Sequence, residues 1–148
     1  MSEHHASIAW RRTTEAFTYP TYNRDHEWQF GSGQSIAASS AKEYLGTPSK
    51  VNPEEALVAA LSSCHMLTFL AIAAKRGFVV DSYYDEAIGT LAKNAERKLA
   101  ITECLLRPNV VFAGRQPTNE ELAALHHEAH EHCFIASSVK TEVKVEPR

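Results

Sequence analysis

Three cysteines and a run of histidines are the residues of this chain best suited to chemistry. Cys64 stands in the middle of residues 52–77, with Leu57 and Leu61 seven and three positions before it. At helical spacing those offsets place the thiol on an apolar face. Free cysteine is among the most buried residue types, so packing alone accounts for such a thiol. The chemical alternative is a nucleophile, which needs a thiolate and therefore a cation or oriented donors beside it. Cys133 follows 69 residues later, where a second helical pattern ends. The two thiols are either a reversible pair or a coincidence. Cys104 falls within a strand-like pattern and reads as packing. His126, His127, His130 and His132 crowd one segment. His126 and His130 are four apart, a spacing that binds zinc, and Cys133 would supply a third donor. No CxxC pair or HExxH motif accompanies them, and the wet side of an amphipathic helix accounts for them equally. Glu54 has an ordinary use as a first-turn acid that favours the helix dipole. Arg24, beside a turn, would ordinarily face solvent.

The element that must hold Cys64 begins at Asn52, which suits an N-cap, with Pro53 at the first helical position and Glu55 three residues after the cap. Gly77 suits the stop, and Lys75 and Arg76 favour a helix C-terminus. Roughly 24 residues are helical, or about 36 Å. Hardly a charge interrupts them between Glu55 and Lys75, and a helix apolar nearly all round belongs in the centre of a fold. Its apolar run approaches the ~20 residues of a membrane span. It is nevertheless rich in Ala and Ser and carries Cys64, His65 and Thr68, so a buried helix is the expectation.

Before this helix, residues 7–17, 26–30 and 34–38 predict a meander of about three antiparallel strands, with an extended piece at 18–22 and a loop over 39–51. After it, residues 78–91 and 99–113 predict a long hairpin with Pro108 at a bulge or edge. Thr118 and Glu121 form a capping-box pattern that opens a second helix over 119–132, striped by Leu122, Leu125 and Ala129. Residues 135–138 form a turn and 139–145 a final strand. Strands and helices are segregated, which favours an α+β fold. The length of 148 residues predicts one domain spanning the chain. The central helix needs more cover than one small sheet offers, and a second copy of the chain is its expected source. A net charge of -3 without a basic cluster argues against nucleic acid. Three cysteines without a secretory leader point to a reducing, cytoplasmic setting.

The segment NPEEALVAALSSCHMLTF resembles the first active-site segment of the OsmC/Ohr family, the osmotically inducible and organic hydroperoxide resistance proteins, in its general OsmC-like branch. There an NPE sequence opens the central helix and a reactive cysteine follows ten residues after the glutamate; Glu54 and Cys64 match. Cys133-Phe-Ile-Ala-Ser137 stands where the second cysteine is expected, with Ser137 one position late and Phe134 in place of a common proline. YNRDHEW puts Arg24 where the N-terminal strands bring an arginine to the thiol. The resemblance runs along essentially the whole chain. It implies antiparallel sheets wrapped around long central helices, a tightly intertwined homodimer and thiol-dependent reduction of organic hydroperoxides, with no cofactor and no metal. Cys64 would attack the peroxide, Cys133 would resolve the sulfenic acid as a disulfide, and a dithiol of lipoyl or other type would restore both. Arg24 would hold the thiolate and Glu54 would fix the guanidinium. Leu57, Leu61, Met66 and Phe69 would line an apolar wall, although core packing explains them equally. Two other readings stay open: a small-molecule binder that uses an apolar dimer cleft, and a zinc protein built on Cys133 and the nearby histidines.

Overall fold

Polar and aromatic residues alternate along His26–Phe30, and this strand, β2, is the centre of a three-stranded antiparallel sheet with β1 (Ala6–Ala9) and β3 (Ser35–Ala38). The computed structural model describes Met1–Arg148 and divides into two compact units, Met1–Ala56 and Leu57–Arg148. In the first, the loop after β3 carries a single 3₁₀ turn, Lys42–Tyr44, and returns to the sheet through a bridge between Ala38 and Val51. The expected meander is present. Residues 18–22 form a turn instead of an extended piece, closed by Thr21 and Tyr22 N–H groups that both donate to Thr18 O.

The boundary between the units falls in the first turn of the long helix α1 (Pro53–Lys75). Its start is a reciprocal cap: Glu55 N donates to Asn52 Oδ1 (2.9 Å) and Asn52 N donates to Glu55 Oε2 (3.2 Å). Its stop is a Schellman turn. Gly77 takes φ 79°, Phe78 N donates to Ala73 O and Gly77 N donates to Ala74 O.

The second unit continues with the hairpin foreseen at 78–113, broken in both arms. The outgoing arm is β4 (Val79–Asp85) and β5 (Ile88–Lys93), and the returning arm is β6 (Leu99–Leu106) and β7 (Pro108–Ala113). β4 pairs antiparallel with β7, and β5 with β6. At the break the Asp85 carboxylate does the work of a ladder partner, accepting from Arg107 N (2.6 Å) and from Ser62 Oγ on α1 (2.5 Å). Pro108 has no N–H to carry the ladder across. α2 (Asn119–Glu131) opens on the full capping box of Thr118 and Glu121. After the 3₁₀ turn Ala136–Ser138, β8 (Glu142–Val145) runs parallel to β6. The architecture is α+β.

α1 presents one buried stripe, Leu61, His65, Phe69, Ile72 and Ala73, spaced three and four apart. Phe69, Ile72 and Ala73 join Phe78, Phe112, Leu125 and Ala129 in one core cluster. Leu61 joins Cys104 and Leu106 in a second. The expectation that α1 faces almost no water does not hold within one chain. Ala60, Ser63, Leu67, Ala71 and Ala74 are exposed along the opposite face, Leu67 at 61%. Within Leu57–Arg148 the sheet and α2 cover only one side of a cylinder. With 23 residues and a mean hydropathy of 1.9 over its apolar window, α1 is long and apolar enough to cross a membrane. Its buried stripe seats it in a protein core instead.

Candidate functional site

Cys64 sits in the middle of α1, half-buried, and its carbonyl accepts from Thr68 Oγ1 (2.9 Å) one turn on. Cys133 is the first residue beyond the C-cap of α2 and is almost fully buried. Its N–H donates to His130 O (3.2 Å), which carries the helix end into the following turn. Its carbonyl accepts from Ser137 N and Ser137 Oγ (both 3.0 Å), and its sulfur accepts from Ala136 N (3.4 Å). The side chains of Cys64 and Cys133, 69 positions apart in sequence, lie close enough for Cys64 to act on the Cys133 thiol. Burial and then the Cys64 side chain push the Cys133 thiol up to about 11, while the backbone N–H groups of Ala136 and Ile135 pull the other way. Cys133 therefore keeps its proton at neutral pH, and Cys64 is the more exposed of the two.

Cys104 takes no part. It is fully buried on β6 against Leu61 and Leu106, and burial followed by the Asp85 charge pushes its thiol up to about 11. Such a thiol is inert at neutral pH.

Arg24 is 9% exposed, contrary to the surface position ordinary for an arginine beside a turn. Its guanidinium donates to Tyr22 O (2.7 Å) and Tyr19 O (2.6 Å). Its central carbon lies 3.9 Å from the Tyr22 ring centroid and 5.2 Å from that of Tyr19. Those carbonyls and rings hold the fork that Glu54 was expected to fix; the hydrogen bonds of Arg24 do not include Glu54, which lies in the first turn of α1. The neighbouring Asp25 is anchored by Lys50 Nζ (2.7 Å) and Thr47 Oγ1 (2.7 Å). These two bonds, Lys50 first, bring its carboxyl down to about 2 and tie the 39–51 loop to the start of β2.

The histidine segment differs from both sequence readings. His126 is buried, not on the wet side of α2, while His127 and His132 are exposed. Its partner is His65, one position after Cys64, a residue that sequence reasoning passed over. His65 Nε2 and His126 Nδ1 lie 3.1 Å apart and share one proton. The rings are nearly parallel, 5° apart, and Phe69 stacks on His126 at 4.4 Å. Burial brings both rings down to about 4; the His130 charge adds to this at His65, where Asp85 opposes it, and the His65 charge adds to it at His126. No group of three or more His, Cys, Asp or Glu side chains is arranged to hold a metal ion, so the donors of the zinc reading do not converge. A polar residue in the apolar stripe of α1, opposite an apolar-face position of α2, is the signal that could have exposed this pair.

The apolar wall expected from Leu57, Leu61, Met66 and Phe69 is mostly core: Leu61 and Phe69 are fully buried and Leu57 packs on the Leu61 cluster. A cleft of about 370 Å³ lies between the C-terminal half of α1 and the end of α2, lined by Thr68, Ala71, Ile72, Lys75, Arg76, Glu128 and His132. Phe134, next to Cys133, is 82% exposed.

Two comparisons bear on this arrangement. Residues 46–148 match the family model described as OsmC-like protein. Among solved structures, the chain is similar to an OsmC-like protein of unknown function from Vibrio cholerae, with 51% identity, full coverage of both chains and a TM-score of 0.96. It is also similar in fold to an organic hydroperoxide resistance protein OsmC from Legionella pneumophila, with 16% identity, 99% and 96% coverage and a TM-score of 0.69. The organic hydroperoxide resistance protein OhrB of Bacillus subtilis gives 17% identity, 99% and 98% coverage and a TM-score of 0.69. No curated protein matches the chain.

Proposed function

Because the chain belongs to the family of OsmC-like proteins, we propose that it is a cysteine-based peroxidase that reduces organic hydroperoxides, with Cys64 as nucleophile and Cys133 as resolving thiol. The observation that carries this reading is the approach of Cys64, on α1, to Cys133, just past the end of α2, one thiol half-buried and the other buried and protonated. Two proteins similar in fold, from Legionella pneumophila and Bacillus subtilis, are organic hydroperoxide resistance proteins.

The Cys64 thiolate attacks the terminal peroxide oxygen, the O–O bond breaks, and the alkoxide leaves as the alcohol after taking a proton. Cys64 is then a sulfenic acid. The Cys133 sulfur attacks the Cys64 sulfur, the S–S bond forms, and hydroxide departs with the Cys133 proton as water. An external dithiol, of lipoyl or other type, supplies two electrons and two protons to restore both thiols. Arg24, permanently cationic, is the assigned partner of the Cys64 thiolate, and Glu54 is the acid assigned to the same site. Both assignments rest on the motif resemblance. No metal, flavin or haem is required.

The working form is a homodimer in a single-domain arrangement, acting in the cytoplasm. The support is the exposed face of α1, where Ala60, Ser63, Leu67, Ala71 and Ala74 leave an apolar helix uncovered. Small residues of this kind allow close approach of a second helix, and burial of the stripe removes apolar area from water.

The test is consumption of tert-butyl or cumene hydroperoxide with dihydrolipoamide as reductant. The wild type turns over and Cys64→Ser does not. Wild-type turnover by Cys64→Ser removes the nucleophile assignment. Native thiols that fail to react with any hydroperoxide leave a small-molecule binder as the better description.

A further inference from the structure

The buried side-chain polar atoms without a hydrogen-bond partner are His65 Nδ1, His126 Nε2, His130 Nδ1 and Tyr83 Oη, and all border the same α1–α2 contact. A neutral imidazole has one N–H and one lone pair. The shared proton between His65 and His126 uses one of each, so the outer nitrogens of the pair stay unpartnered whichever tautomer is present. Unpartnered buried polar atoms are costly, and two leucines would fill the space without that cost. What leucines lack is direction. An N–H···N bond fixes the rise and rotation of one helix on the other, whereas apolar contacts allow sliding.

The location matters for the thiols. His65 follows Cys64 on α1, and His126 stands seven residues before Cys133 on the helix that ends there. Cys133 is fastened to that helix through its bond to His130 O. Successive residues of a helix point about 100° apart, so His65 faces α2 on its own bearing and is not directed at the sulfur of Cys64. Its Nε2 is committed to His126, which removes it as a base for Cys64. The groups that face the pair are His130 from α2 and Asp85 and Tyr83 from β4.

We propose that His65 and His126 are positioning residues for disulfide closure: their interhelical bond sets the register of α2 on α1 that brings the Cys133 sulfur to Cys64. The inference rests on the reading of these cysteines as a redox pair and extends it.

The test uses a chemical oxidant in place of peroxide. Diamide takes two electrons and two protons from the two thiols, is reduced to the hydrazine, and leaves the S–S bond. Its use separates closure from peroxide chemistry. A glutamine at 65 places its amide N–H where His65 Nε2 stands, and an asparagine at 126 places its carbonyl where His126 Nδ1 stands. The H65Q/H126N protein keeps the bond, and the H65N/H126Q protein has the same groups with their ends misplaced. Closure in H65Q/H126N should match the wild type, and H65N/H126Q should be slower by about ten- to a hundredfold, the scale of an ångström misplacement. The rate at which cumene hydroperoxide oxidises Cys64 in a single turnover should be the same in all three. Equal diamide closure in the two double variants overturns the proposal, as does a wild type that never closes. A wild type that closes with diamide yet ignores hydroperoxide retains the positioning role and removes the peroxidase reading alone.

Discussion

Acid should destabilise this protein through two imidazoles. His65 and His126 titrate at about 4 in the folded chain, because burial disfavours the cation, against 6.5 for an ordinary histidine. Between those values the unfolded chain binds more protons than the folded one, so stability falls as pH falls. The contribution is complete above pH 6.5, declines below it, and is fully lost once the pH has passed through about 4. Near pH 5 each ring lies about 1.5 units below its unfolded titration point, or about 2 kcal/mol, and the pair up to about 4 kcal/mol. A domain has only about 5–15 kcal/mol in hand. Asp25, whose carboxyl is held at about 2, loses its contribution only below 3.8 and leaves this window clear. Urea unfolding followed by far-ultraviolet circular dichroism, near pH 7.5 and near pH 5 at one fixed protein concentration, measures the loss. The H65Q/H126N protein keeps the bond without the titration and should lose up to about 4 kcal/mol less than the wild type over that interval. Equal losses in the two proteins would refute the assignment of the acid sensitivity to this pair.

Other substitutions read other parts of the structure. At Gly89 on β5 a Cβ would clash with Val58 Cγ2 on α1, so Gly89→Ala should cost about 1–3 kcal/mol in urea unfolding through overpacking. Native alkylation with iodoacetamide at neutral pH, read by peptide mass, should label Cys64 first and Cys104 only after unfolding, because burial holds the Cys104 thiol at about 11. With Arg24 in its proposed role as the cation of the Cys64 thiolate, Arg24→Ala should slow alkylation of Cys64 at neutral pH; an unchanged rate removes Arg24 from the mechanism.

The local signals in the sequence carried well into the structure wherever the physics was local. Asn52 with Glu55, Thr118 with Glu121, and Gly77 each fix a helix end through bonds within a few residues, and each stands where its pattern placed it. The break in the long hairpin was not legible, because it depends on Asp85 reaching Arg107 N and Ser62 Oγ, contacts that span 22 and 23 positions. The parallel pairing of β8 with β6 is non-local in the same way. α1 was legible as a helix, yet its composition could not tell which side its own chain covers. Cys64 and Cys133 stand out in the sequence by their motif spacing, whereas their proximity depends on the packing of α2 on α1. His65 was missed because a lone histidine in an apolar stripe carries no signal until His126 is placed opposite it.

Intact-mass analysis after one equivalent of cumene hydroperoxide decides whether Cys64 and Cys133 form a redox pair driven by peroxide. The wild type should lose two hydrogens, with a Cys64–Cys133 disulfide in the peptide map, and Cys133→Ser should hold a trapped sulfenic acid on Cys64. An unmodified wild-type chain, or a wild-type sulfenic acid that persists without a disulfide, would contradict it.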